Sequence, residues 1–356
     1  MVERLHAADF LRGVAALIVV FWHYKFFFAA TPASVMLYPF YNNGQIAVDL
    51  FFVISGFILM HVYHDKIYKY SEFREYMIKR VARLYPLHVI SLMITALLFI
   101  GFYLNKGVYG FVYLKNDTYH FFLNLFLLQY VGLQSGYSFN APSWTLSGEF
   151  WVNLLFAVFL VSARRALPVV SIGLILVSTF LLVFVNGAWL SGDRLGGWLE
   201  AILVRTTAGF FAGVSTYLLW QCSRSIRSDL PFCVGFVLFV GLMSYPATGR
   251  DLVYVEAAIA VIISPLLVYG AAVSPRAERL SGTAPGRWLG GVSFSIYMWH
   301  FPLAAFLVLL GAATWPQFLL MPSYLGLVLL VSTLSWICIE VPARAWLVGH
   351  FARRGR

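Results

Sequence analysis

Apolar residues fall in long runs from one end of this chain to the other, broken by short polar stretches. A membrane-spanning helix needs about 20 predominantly apolar residues. Ten runs of that kind can be read, at about 11–30, 44–63, 84–104, 143–163, 168–187, 198–220, 231–247, 252–272, 290–311 and 322–346. The pattern predicts an all-α polytopic membrane protein of about ten transmembrane helices, organised as a single membrane-embedded domain over 1–356 with short loops. One apolar segment does not fit the series. His120 to Leu133 (HFFLNLFLLQYVGL) is too short to span, and counting it would move Arg164 and Arg165 to the opposite side. It is expected to be re-entrant or interfacial, and to be packed against protein, where it can help to wall a cavity.

Composition agrees with the pattern. Hydrophobic residues make up 61% of the 356 and charged residues only 11%, against about 45–50% apolar in an ordinary soluble domain. A soluble globule is excluded. The net charge of +10 would suggest a nucleic-acid partner in a soluble chain, but in a membrane protein it reports topology, because cytoplasmic loops collect Lys and Arg. With the N-terminus inside, 19 of the 25 Lys and Arg fall on inside segments or at the inner ends of spans, including Arg4, Arg353, Arg354 and Arg356 at the ends; Arg205 alone falls well within a span. Both termini are therefore expected to be cytoplasmic, in a multi-pass protein of the cell (inner) membrane. The first run ends in the small residues Ala29 and Ala30, as a signal peptide does, but it carries His23 and Lys25 and is expected to remain as a span. Cys222, Cys233 and Cys338 are too few and too scattered for a disulfide framework or a zinc site. No metal is expected, and no tightly bound cofactor.

Ionisable side chains within spans are costly, at about 2.5–3.5 kcal/mol or more each, so each is a candidate functional residue. At about 1.5 Å per residue, Asp49 and Glu149 are expected about 7–9 Å below the outer boundary and Arg205 about 10 Å below it. A buried ion-pair network holding helices together is the competing structural reading for these three. His23 follows Arg12 by eleven residues, which returns it almost to the same helix face, about 16 Å above the inner surface. His300 is expected about 15 Å up the ninth span. On the inner side, 64–83 is read as a basic loop. Arg80 and Arg83 stand i, i+3 at its exit, and a pair of guanidinium forks suits a polyanionic, phosphate-bearing ligand. GFFAG at 209–213 is a small-xxx-small pattern for close helix packing. The absence of GxSxG, HExxH, P-loop and GxGxxG motifs takes support from acyl-serine, metal, nucleotide-hydrolysis and dinucleotide chemistry.

Six segments taken in order, DFLRGVAALIVVFWH (9–23), GQIAVDLFFVISGFIL (44–59), RVARLYP (80–86), SWTLSGEFWVNLLF (143–156), GVSFSIYMWHFPL (291–303) and EVP (340–342), resemble the successive motifs of acyltransferase family 3. The resemblance runs over nearly the whole chain and is to the stand-alone form, without an appended soluble domain. It implies a membrane O-acyltransferase that moves an acyl group, commonly acetyl, from cytoplasmic acyl-CoA as co-substrate to a hydroxyl of a glycan or other acceptor on the far side. Carried onto this sequence, the family's Arg-x10-His motif falls on Arg12 and His23, its Arg-x-x-Arg motif on Arg80 and Arg83, and its tryptophan-rich Glu motif on Trp144 and Glu149. Gly148 and Phe150 depart from the bulkier residue and the Trp common at those places. These assignments make His23 and Glu149 the expected catalytic residues and Arg12, Arg80 and Arg83 the expected donor-binding residues. Asp49, Arg205, Trp144 and His300 are expected to bind acceptor or tune His23. His23 would act as general base, or as the nucleophile of an acyl-histidine relay. From other classes, the same buried charges could line the path of a proton-coupled secondary transporter or belong to a membrane scaffold protein; no inverted repeat supports the transporter.

Overall fold

The structure is a computed structural model that describes residues 5–28, 37–134, 136–190, 194–197, 199–246 and 248–352. The expected features at Arg4, Ala29, Ala30, Arg353, Arg354 and Arg356 lie outside the described residues. Ten long helices dominate: α1 His6–Phe28, α2 Tyr38–Tyr63, α3 Tyr70–Lys106, α4 Ala141–Ser162, α5 Arg164–Asn186, α6 Ala201–Cys222, α7 Leu230–Ser244, α8 Gly249–Val273, α9 Ala284–Leu309 and α10 Gln317–Phe351. Among the described residues nine are long and apolar enough to cross a membrane; α7, with 15 residues, is apolar but shorter. The ten apolar runs each coincide with one helix. α5 turns Val169, Ile172, Leu176, Phe180 and Phe184 outward at three- and four-residue steps, an apolar stripe that belongs against lipid rather than water.

Polar contacts sort the loops onto two faces. On one, the Ala7 amide donates to Glu278 (3.3 Å), Arg164 reaches the carbonyls of His64 and Ile67, and Ser274 donates to Asp229 (2.6 Å). The Asp229 carboxyl is held below its ordinary range by that hydroxyl and by the Arg276 amide. On the other face, Asn43 donates to the Met243 carbonyl (2.6 Å), Arg194 to Gln134 (2.6 Å) and Tyr24 to Gln317 (2.5 Å). Ten helices taken in alternating directions require this same division, and the first face is the one on which the excess Lys and Arg lie.

Close approaches of backbone set the core. A Cβ on Gly56 of α2 would lie 1.9 Å from the Phe210 carbonyl oxygen of α6, and one on Gly213 would lie 2.0 Å from the Val53 oxygen. GFFAG is thus the seam of the α2–α6 crossing. α1 and α9 meet similarly, Gly13 against Leu289 and Gly290 against Asp9. Gly213→Val is expected to remove most detergent-extracted, monodisperse protein, because the conflict is with backbone that no rotamer can relieve. Size-exclusion chromatography of the variant checks this, and a parental profile would contradict it.

Two expectations about the chain's path are corrected. The segment 64–83 is loop only as far as Lys69. Glu72 accepts from the amides of Tyr68 (2.6 Å) and Lys69 (2.9 Å), a capping arrangement that starts α3 at Tyr70. Arg80 is then ten residues, about 15 Å, into a helix and only 8% exposed. A hydropathy reading misses those first turns because their residues are polar although helical.

The second correction concerns α4. After α3 the chain makes an excursion through a short helix, Thr118–Leu125, and irregular backbone beyond it. Asp117 caps that helix on the His120 amide (2.9 Å), a bond that holds its carboxyl below the usual range. The Leu127 carbonyl accepts from Ser147 and Trp151 (2.8 and 3.0 Å), so this non-helical stretch is tied to α4 by protein bonds. This excursion starts α4 deep. Pro142 accepts from the Tyr297 hydroxyl (2.9 Å), and Tyr297 lies twelve residues, about 18 Å, before the end of α9. Glu149 is carried deeper still, away from the outer-half position expected of it.

Candidate active site

Three arginines from two helices line one cavity: Arg12 of α1 with Arg80 and Arg83 of α3. Phe51, Phe52, Ser55 and Ile58 of α2, Thr145, Leu146 and Glu149 of α4, and Phe294 and Tyr297 of α9 complete most of its wall. Glu149 accepts from Arg80 Nη2 (2.7 Å) and from Ser55 (2.8 Å). The expected separation of Glu149 from Arg80 and Arg83 therefore does not hold; all three share one chamber, because of the depth at which α4 begins. Arg12 pairs with Asp9, three residues before it on α1 (2.9 Å), and donates to Ser293 (3.0 Å) and the Gly290 carbonyl (3.3 Å), which fixes it where α1 and α9 touch. Arg83 makes no ion pair within 4 Å among the described residues. Three guanidinium groups against one carboxylate make the lining itself cationic, with Asp9 offsetting Arg12 from outside it, and such a lining suits an anionic ligand.

His23 stands apart from the chamber, near the middle of the α1–α9 seam. Its Nδ1 is 3.0 Å from the Val19 carbonyl and 3.2 Å from Nε2 of His300. Nδ1 of the fully buried His300 lies 2.6 Å from the carbonyl of Tyr297, the residue whose side chain walls the chamber. Local chemistry fixes the backbone around His300. Pro302 has no N–H, so the Met298 carbonyl loses its helical donor; Asn140 supplies one in its place (3.0 Å), while Tyr324 donates to the His300 carbonyl (3.1 Å). On the side away from the chamber, Phe27 stacks on His23 and packs against Phe111 and Phe301.

Asp49 and Arg205 form a separate unit. Arg205 makes two bonds to Asp49 (2.8 and 2.9 Å), Trp189 donates to the same carboxylate (3.3 Å), and the Trp144 ring lies 5.4 Å from the guanidinium. Of the predicted residues, then, the fold brings together Arg12, Arg80, Arg83 and Glu149; His23 with His300; and Asp49 with Arg205 and Trp144. Gly148 faces Thr206 of α6, where a Cβ would lie 2.6 Å from its hydroxyl. Its small size is therefore a matter of helix packing.

Ser55, Tyr297, Glu256 and Glu340 are not among the residues expected from the sequence. Glu340 accepts from Ser295 (3.1 Å) at the end of a π-helical turn of α10, and buried Glu256 lies within α8. Both are acids inside apolar runs, so the criterion that selected Asp49 and Glu149 finds them too. Ser55 and Tyr297 carry no such signal, since one hydroxyl in an apolar run is ordinary.

The fold and site define a polytopic membrane protein with a cationic chamber beside a paired histidine. The family model described as "Acyltransferase domain", that of acyltransferase family 3, matches residues 5–339. The chain belongs to acyltransferase family 3. It is 43% identical over 102 residues to "Protein 2 in picA locus" of Rhizobium radiobacter, covering 28% of this chain and 49% of that protein. It is 24% identical over 384 residues to "Putative peptidoglycan O-acetyltransferase YrhL" of Bacillus subtilis (strain 168), covering 97% of this chain and 56% of the relative. With "Peptidoglycan O-acetyltransferase OatA" of Listeria monocytogenes serovar 1/2a the identity is 21% over 364 residues, covering 94% and 55%. The chain thus spans about half the length of these three relatives. No solved structure matches it.

Proposed function

We propose that the protein is a membrane O-acyltransferase of the cell membrane that takes an acyl group, acetyl first of all, from acyl-CoA entering at the basic face. It passes the group to a hydroxyl of a glycan arriving from the opposite face. The observation that carries this reading is the cationic chamber whose wall, Tyr297, is one helical turn from His300 and its partner His23. In this account Arg83, with Arg80 and Arg12, holds the donor's phosphates. Glu149 and Ser55 fix Arg80 in the chamber. The acceptor hydroxyl gives its proton to His23 as its oxygen bonds to the thioester carbonyl; the C–S bond then breaks, and the thiolate takes that proton. The names of the two peptidoglycan relatives support a glycan as acceptor.

Donor affinity tests the chamber. Arg83→Lys keeps a charge but loses the two-pronged fork, so acetyl-CoA binding to purified protein should weaken about tenfold, equal to about 1.4 kcal/mol. Unchanged affinity would put the donor elsewhere. Sidedness has its own test. In a chain with Cys222, Cys233 and Cys338 replaced by Ser, a cysteine placed at Lys66 should be protected from an impermeant maleimide in intact cells, and one at Leu114 should react. The reverse pattern would put the chamber on the wrong side for a cytoplasmic donor.

A further inference from the structure

Resting on the reading of His23 as the base, we propose that His300 is a positioning residue that holds His23 in its Nδ1–H form, leaving Nε2 as the lone pair that takes the acceptor's proton. A neutral imidazole has one N–H and one lone pair, and its tautomer is inferred from what each nitrogen faces. Nδ1 of His300 faces the Tyr297 carbonyl at 2.6 Å, and Nδ1 of His23 faces the Val19 carbonyl at 3.0 Å. A carbonyl oxygen only accepts, so each Nδ1 must carry the proton. His300 Nε2 is then a lone pair, and it lies 3.2 Å from the Nδ1–H of His23. The opposite direction, His300 Nε2–H donating to His23, would set two bare nitrogens against two carbonyl oxygens. The backbone thus orients the pair twice over.

Two further features favour His300 over Val19 as the working acceptor. The Val19 carbonyl also receives the His23 backbone amide of α1, whereas the His300 Nε2 lone pair has His23 as its one partner among the described residues. His300 is also immobilised, fully buried and held through its own carbonyl by Tyr324. Nε2 of His23 has no hydrogen-bond partner among the described residues, which leaves it open to a hydroxyl. When that nitrogen gains a proton, the ring's positive charge is shared through Nδ1–H with a neutral imidazole, and no second proton moves. The arrangement does for His23 what a carboxylate does for the histidine of a serine hydrolase triad, without placing another negative charge in the membrane.

The test combines kinetics with ring-nitrogen spectroscopy on the full-length protein. His300→Met removes the acceptor at similar bulk and should lower kcat at least tenfold with the acetyl-CoA KM within twofold of the parent. His300→Gln, whose amide oxygen stands near the place of Nε2, should recover most of that loss. In parent protein labelled with 15N histidine, the signals that vanish in His23→Gln should be those of a protonated Nδ1 and a bare Nε2. A parent-like kcat in His300→Met, or a parent His23 protonated mainly on Nε2, would overturn the proposal; the parent spectrum decides it even if His300→Met does not fold. Full turnover by His23→Gln would instead overturn the base assignment on which it rests, whatever the spectrum shows.

Discussion

Replacing His23 by Gln should cut acyl transfer by about 10²- to 10⁴-fold, the range a positioned general base contributes, while the folded yield and acetyl-CoA affinity stay near parental values. Gln keeps a hydrogen-bonding side chain but cannot take a proton at this position. Donor binding is expected to survive because the three arginines lie in a chamber that His23 does not line; along α1, Arg12 and His23 are eleven residues, about 16 Å, apart. A structural histidine would behave otherwise, losing activity only in proportion to the loss of folded protein. Acetyl transfer normalised to the monodisperse fraction separates the two, and a His23→Gln rate within a few-fold of the parent would remove His23 from the chemistry.

The second large effect is on stability. Asp49 is fully buried, its partner Arg205 is 4% exposed, and the pair bridges α2 and α6 near their glycine seam. Removing one member leaves the other charged and unpaired in a low-dielectric interior, which costs about 3–5 kcal/mol. Asp49→Ala and Arg205→Ala should each lower the melting temperature in detergent sharply. Asp49→Leu combined with Arg205→Met should melt closer to the parent than either single variant, because no orphaned charge remains. If the single variants melt with the parent, the pair does not brace this crossing. If instead the double variant loses activity while keeping its fold, the pair also orders Trp144 for the reaction.

The pattern of apolar runs identified the helices because in a membrane a backbone must satisfy itself, and length with composition then nearly determines the element. The charge excess and the loop contacts divide the chain onto the same two faces for independent reasons, one electrostatic and one geometric. Depth was not legible. It depends on where α4 begins, and that is set by the irregular backbone after Leu125, whose path follows from side-chain bonds such as Ser147 and Trp151 to Leu127. Glu149 was therefore recognisable as a buried acid but not as the partner of Arg80. His23 and His300 were each recognisable, yet their contact joins residues 277 positions apart, and no spacing rule within one helix reaches that far. Pro302 offered a partial clue, since a proline one turn beyond Met298 announces a free carbonyl that another part of the chain must cap.

Release of coenzyme A thiol by purified protein given acetyl-CoA, with and without a hydroxyl-bearing peptidoglycan fragment, measures donor use and acyl transfer together. Acceptor-dependent thiol release is expected, matched one for one by acetyl ester on the glycan and lost in His23→Gln. Thiol release and ester at the level of the protein-free blank, in protein that instead moves a solute across vesicles in response to a proton gradient, would contradict it.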